Sequence, residues 1–209
     1  MTGDDAVDLS RKSPRQARAR QTVETLLDTT AQILVEEGSE KLTTNRLAEK
    51  AGYSIGTVYQ YFPNRQAIVL ALIERQRARV GRQVQAVLAR SSGQPPEQRI
   101  RAILHVLHQA FTLHRKPARR LMRALIEAAL AHGLPTPPNV AAEAILQVWR
   151  DASGETLNES EHFVLSRAII EVLRQAVMSS SPLLGTQAFE EALLRMILGF
   201  LKAAPDQPD

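Results

Sequence analysis

The side chains best suited to chemistry lie between Thr43 and Arg65. Here Thr57, Tyr59, Gln60 and Tyr61 bring a hydroxyl, two phenols and an amide into one short run, and Thr43, Thr44 and Asn45 stand just upstream. Such groups donate and accept hydrogen bonds, and nothing in the run pairs a nucleophile with a base. Catalytic signals are missing elsewhere too. The chain has no Cys, which removes a thiol nucleophile, a Cys-ligated zinc and any disulfide. There is no His-Glu-x-x-His, no P-loop and no GxGxxG. His105 and His108 are three apart, a spacing that suits a metal on a helix, but no third ligand at helical spacing accompanies them. A solvated or hydrogen-bonded pair is the better reading. No catalytic residue, metal or cofactor is expected. The rivals are an enzyme whose catalytic groups are scattered in sequence and an all-helical adaptor that binds only protein.

Two short helices must position the hydrogen-bonding run. Thr44–Ala51 and Ser54–Phe62 fit this role, with Gly52 as the turn between them and Pro63 as the stop. The first turns Leu47, Ala48 and Ala51 to one side. The second carries Val58 and Phe62 four residues apart, which share a face. Gly56, Thr57, Gln60 and Tyr61 fall on the opposite side, with Tyr59 at the margin. A stripe that anchors the helix and an outer face that is small, polar and aromatic suit a helix lying in the major groove of a duplex. Thr43 or Thr44 can cap the first helix and leave amide N–H groups for a phosphate.

The rest of the chain also reads as helix. Strand alternation is absent. Ser13-Pro14-Arg15-Gln16 fits a helix start, and Val23, Leu26, Leu27, Thr30, Ile33 and Leu34 recur at spacings of three and four up to Gly38. A long helix starts near Asn64 and runs to about Arg90, followed by a break at Ser91 to Pro96. Five more are expected at about 97–114, 118–132, 139–152, 160–180 and 187–203, giving an all-α chain of about nine helices. The expected organisation is a disordered arm over 1–14, a small helix-turn-helix unit over 15–66, a larger helical body over 67–204 and a disordered tail over 205–209.

Composition is that of a globular protein, with 44% hydrophobic and 23% charged residues. The longest apolar run, Ala67 to Ile73, is far below the ~20 residues of a membrane helix. The first ten residues hold Asp4, Asp5 and Asp8 and no apolar block, so no secretory signal is visible and a cytoplasmic location is expected. The net charge of +4 is uneven. Arg11, Lys12, Arg15, Arg18 and Arg20 form a basic run, residues 66–149 hold twelve bases against four acids, and residues 150–209 hold five against nine. A basic front suggests that a polyanion meets the N-terminal part.

Leu42-Thr43-Thr44, Leu47-Ala48-Glu49-Lys50-Ala51-Gly52 and the string Ser54 to Phe62 followed by Pro63-Asn64-Arg65 resemble the TetR family of bacterial transcription regulators. The resemblance covers about residues 18–78. It implies that Thr43 and Ser54 belong to the DNA-facing set, that Thr44 meets a phosphate, and that Asn45 meets a base or a phosphate. Gly56 and Thr57 would approach the major groove, Tyr59 and Tyr61 would hold phosphates, Gln60 would reach base edges and Arg65 would clamp a phosphate. Ile55 departs from the family, which often has a polar or basic residue there. It would either touch a thymine methyl or pack inward.

The last two helices carry broad apolar surfaces. Phe163, Ile169, Ile170, Leu173 and Val177 mark one, and Phe189, Leu193, Leu194, Ile197 and Leu201 the other. A helix apolar nearly all round is central to a core or shared between two chains. The resemblance implies a homodimer through these residues, whose paired recognition helices read a palindromic operator with half-sites about one turn, ~34 Å, apart. It also implies a ligand-responsive regulator, most often a repressor, with an unknown small-molecule effector bound in the middle helices. Ile103, Leu107, Phe111, Leu121, Leu125, Leu146 and Trp149 are the lining candidates.

Overall fold

The computed structural model describes residues 14–112, 116–131, 133 and 140–203. Among these residues every regular element is helical, as expected for an all-α chain. The order is α1 (Pro14–Glu36), a single 3₁₀ turn (Ser39–Lys41), α2 (Thr44–Ala51), α3 (Ile55–Tyr61), α4 (Arg65–Arg90), α5 (Pro96–Thr112), α6 (Lys116–Ala131), α7 (Val140–Ser153), α8 (Glu159–Met178) and α9 (Gln187–Ala203). The chain divides into two compact units, with the boundary between Ile68 and Val69 inside α4. The basic residues Arg11 and Lys12, the capping candidate Ser13 and the tail 205–209 lie outside the described residues.

In the first unit α1 packs on α2, and α2 on α3. Leu26, Leu27, Ile33 and Leu34 of α1 are buried, as are Leu47, Ala48, Val58 and Phe62 of the short helices. Thr30 lies in the same stripe with no exposure. Its hydroxyl donates to the Leu26 carbonyl at 2.8 Å, which satisfies the polar group inside an apolar face. The 3₁₀ turn was not foreseen, because a single turn has no periodicity to read.

In the second unit α5 is the central helix and packs against α6, α7, α8 and α9. Ile100, Ile103, Leu104, Leu107 and Phe111 are buried along it. Their spacing of three and four residues is that of one continuous helical face. The inner sides of α8 and α9 supply Leu165, Ile169, Leu173, Ala176 and Val177, and Leu193, Leu194, Ile197 and Leu201. No described helix is long and apolar enough to cross a membrane.

This packing corrects the expected dimer surface. Ile169, Leu173, Val177, Leu193, Leu194, Ile197 and Leu201 are at most 5% exposed within one chain. Within one chain they belong to the hydrophobic core. Of the expected set, Phe163 is 60% exposed, and Ile170 and Phe189 are half-buried. Val164, Val172 and Met196 of the same two helices are also exposed. Ile169→Ala is therefore expected to lower unfolding free energy by about 2–5 kcal/mol, as truncations of buried Ile do. The shift in the urea midpoint at constant slope checks it.

Candidate nucleic-acid interface

The two short helices are defined by their ends. Thr43 is the N-cap of α2, and its side chain accepts from the Arg46 N–H at 3.0 Å. Gly52 closes the helix at a φ of 72°, a left-handed conformation that glycine adopts without the steric cost a side chain would add. Its N–H and that of Tyr53 return to the carbonyls of Glu49 and Ala48. Ser54 caps α3, accepting from the Thr57 N–H at 3.1 Å. Phe62 ends it with an N–H bonded to the Val58 carbonyl at 2.8 Å, and Pro63 follows. Asn64 then caps α4 through its Oδ1, which accepts from Ala67 at 2.9 Å.

An ion-pair cluster fixes α2 against the end of α1. Glu37 takes Arg46 on one side at 2.8 Å and Lys50 on the other at 2.9 Å. Lys50 also reaches Glu36, and Arg46 reaches Glu49. Hydrogen bonds from Arg46 and then Lys50 pull the Glu37 carboxyl down from the ordinary 4.5 to about 2. The bond to Glu37 and then that to Glu49 push Arg46 upward, and bonds to Glu36 and then Glu37 push Lys50 upward. These partners lie nine and thirteen residues apart across a turn, and no spacing rule signals them.

The expected DNA-facing residues all lie in the first unit. Thr43, Asn45, Ser54, Gly56, Tyr59 and Gln60 are exposed, with Tyr59 at 53%. Thr44, Thr57 and Tyr61 are half-buried. The structure brings two of them together across the turn, since Thr44 Oγ1 and Tyr59 OH are 3.3 Å apart. Ile55 is 38% exposed, so it does not pack fully inward. Arg65 is half-buried, and its Nη2 donates to the Ser39 carbonyl. This bond ties the start of α4 to the 3₁₀ turn.

The second unit contains the expected lining residues. Ile103, Leu107, Phe111, Leu125 and Leu146 are buried, and Leu121 and Trp149 are half-buried. The Trp149 indole Nε1 is buried with no hydrogen-bond partner. His105 and His108 meet a group that the sequence did not reveal. Glu190, in the first turn of α9, accepts from both Nδ1 atoms at about 3 Å. The Gly185 N–H donates to His108 Nε2 at 3.1 Å, so the imidazole proton sits on Nδ1. Among the described residues no group of His, Asp or Glu side chains could hold a metal ion.

Two short helices set at a glycine turn, the second with a hydrogen-bonding outer face, define a helix-turn-helix unit. Residues 26–72 match the family model described as bacterial regulatory proteins, tetR family. The nucleoid occlusion factor SlmA of Actinobacillus pleuropneumoniae is 38% identical over 69 residues. That match covers 33% of this chain and 32% of SlmA, about a third of each. A TetR-family transcriptional regulator from Streptomyces coelicolor superposes with a TM-score of 0.65 at 20% identity, covering 90% of this chain and 100% of that one. The SmeT–triclosan complex superposes at 0.56 and 19% identity, covering 90% and 98%. Residues 26–72 thus match the tetR-family module, and the chain shares the fold of solved TetR-family structures.

The Glu37 cluster carries a pH dependence with a defined sign. The folded carboxyl holds its proton less tightly than the unfolded one, so its stabilisation is complete above about pH 4.5 and is lost as pH falls toward about 2. Glu37→Gln is expected to melt earlier at pH 7 and to lose less on acidification across that window. Thermal melts of both proteins from pH 7 to pH 2.5 check it. Parallel curves would remove Glu37 as the source.

Proposed function

We propose that the protein is a sequence-specific DNA-binding repressor that binds a palindromic operator as a homodimer and releases it when a small molecule enters the second unit. The observation that carries the DNA reading is the face of α3. Gly56, Tyr59 and Gln60 are exposed on it, while Val58 is fully buried beneath. Thr43, Thr44 and Asn45 stand at the start of α2, where phosphate contacts would fix the register of α3 in the groove. Tyr59 and Tyr61 extend that set from α3. The DNA-binding segment is 15–66 and the effector-binding and dimerisation segment is 67–204.

Gly56 supports the same reading from the energetic side. A Cβ built on it would meet only Ser54 Oγ, at 3.8 Å. None of the described residues requires glycine there, and glycine within a helix costs about 0.5–1 kcal/mol relative to alanine. What the bare position offers is close approach by something outside the chain.

The homodimer rests on the apolar side chains that one chain leaves uncovered, namely Phe163, Val164, Val172 and Met196 of α8 and α9. Two units related by a two-fold axis read a palindrome, and one module alone would read few base pairs. The effector reading is supported by the apolar middle helices and by SmeT, a protein of this fold whose structure is a complex with triclosan. An effector shifts the protein only by its difference in affinity between the two states. The residues named give no chemistry for an enzyme, and the protein is expected to act in the cytoplasm.

Selection of bound duplexes from a random pool by the full chain tests the function. A palindromic consensus is expected, and retention without sequence preference would overturn the proposal. Gly56→Ala is expected to raise the melting temperature and to weaken binding of the selected operator by roughly tenfold or more, ~1.4 kcal/mol. Opposite signs in melting and gel-shift measurements separate a contact role from a folding defect.

A further inference from the structure

The composition of α3 restricts which bases it can read. With its cap Ser54 it carries no Lys, Arg, Asp or Glu. The commonest side-chain partner of guanine is Arg or Lys, and the acceptors that take the cytosine amine are Glu and Asp. The usual partners of a G·C pair are therefore absent from the helix, and its one amide is the exposed Gln60. An amide forms its paired hydrogen bonds with the N6 and N7 of adenine.

The first turn of α3 also carries apolar groups beside its two hydroxyls. Ser54 Oγ accepts from the Thr57 N–H and lies 2.8 Å from Thr57 Oγ1, so the two hydroxyls share a hydrogen bond. Thr57 Oγ1 keeps further hydrogen-bonding capacity beyond Ser54, and its Cγ2 methyl adds an apolar group beside it. Ile55 is 38% exposed beside it, and the intervening Gly56 adds no bulk. Apolar groups in the major groove recognise the 5-methyl group of thymine, the one apolar projection on any base edge there.

We infer that α3 reads A·T pairs: Ile55, with the Thr57 methyl, takes a thymine 5-methyl group, and Gln60 takes an adenine edge. This rests on the DNA-binding reading above and adds the base class to it. Ile55 is the specificity-determining residue.

The test uses the full chain and the operator selected from the random pool. Replacing one thymine at a time by deoxyuridine removes only a methyl group. At one thymine in each half-site the loss of affinity is expected to be about fourfold, the effect of exposing one methylene-sized group. In Ile55→Ala the same replacement is expected to cost clearly less, since only the Thr57 methyl remains against the thymine. Ile55 is partly exposed, so the variant is expected to fold, and its melting curve checks this. If no deoxyuridine weakens binding, if one does so equally in Ile55→Ala, or if the half-site core under α3 is G·C, the inference is overturned and sequence-specific binding still stands. A pool that yields no preferred sequence overturns both.

Discussion

An eight-residue helix and a seven-residue helix are below the ~12–15 residues at which an isolated helix becomes marginally stable in water. Whatever α2 and α3 do depends on what lies beneath and beside them. Beneath are Leu47, Ala48, Val58 and Phe62, which are buried and give α2 and α3 an inner side. Beside α2 is Glu37, which receives Arg46 and Lys50 from successive turns. Apolar contact is non-directional, whereas three charge-assisted hydrogen bonds from Arg46 and Lys50 to one carboxylate fix how α2 is turned about its axis. Gly52 then sets the bend that leads to α3, and Thr44 and Tyr59 meet across it.

Local signals made much of this legible. Thr43, Gly52, Ser54 and Pro63 punctuate the chain within a few residues of their own effects, so the ends of α2 and α3 could be read almost to the residue. The start of α8 was placed one residue late although a signal was present. Asn158 and Glu161 form a reciprocal capping box, with both hydrogen bonds at 2.9 Å. Contacts across long separations left no such trace. Glu190 lies 82 residues from His108 and 85 from His105, and only the fold brings them together. Arg65 was legible as a basic residue at a helix start, but its bond to Ser39 required the position of the 3₁₀ turn.

The helical body shows a different limit. The apolar residues of α8 and α9 were read correctly as too many for an ordinary surface helix. Their number fixes how much apolar surface must be covered but is silent on which side the chain covers itself. The central α5 takes the inner sides of both helices, so Ile169 and Ile197 are lost to the interior. Phe163 and Val164 belong to the same apolar count and remain outside. The uncovered residues are also mixed with Arg167, exposed on α8 with its guanidinium 5.7 Å from the Phe163 ring centre. Such a surface is a mosaic, and hydrophobicity summed along a helix could not have separated it from the core.

Charge in the helix-turn-helix unit follows the same logic. A basic N-terminal half suggests a polyanion, but Arg46 and Lys50 are held by carboxylates and Arg65 by a carbonyl. Phosphate attraction supplies affinity and carries little sequence information, while base edges are told apart by hydrogen bonds and apolar contacts. On α3 the outward residues Ile55, Gly56, Thr57, Tyr59 and Gln60 bear no charged group. The local cations stabilise the frame that presents these side chains. Substituting Arg46 or Lys50 would therefore perturb the geometry of recognition before it changed any count of phosphate contacts, and a reduced affinity in such a variant would not by itself identify a residue that touches DNA.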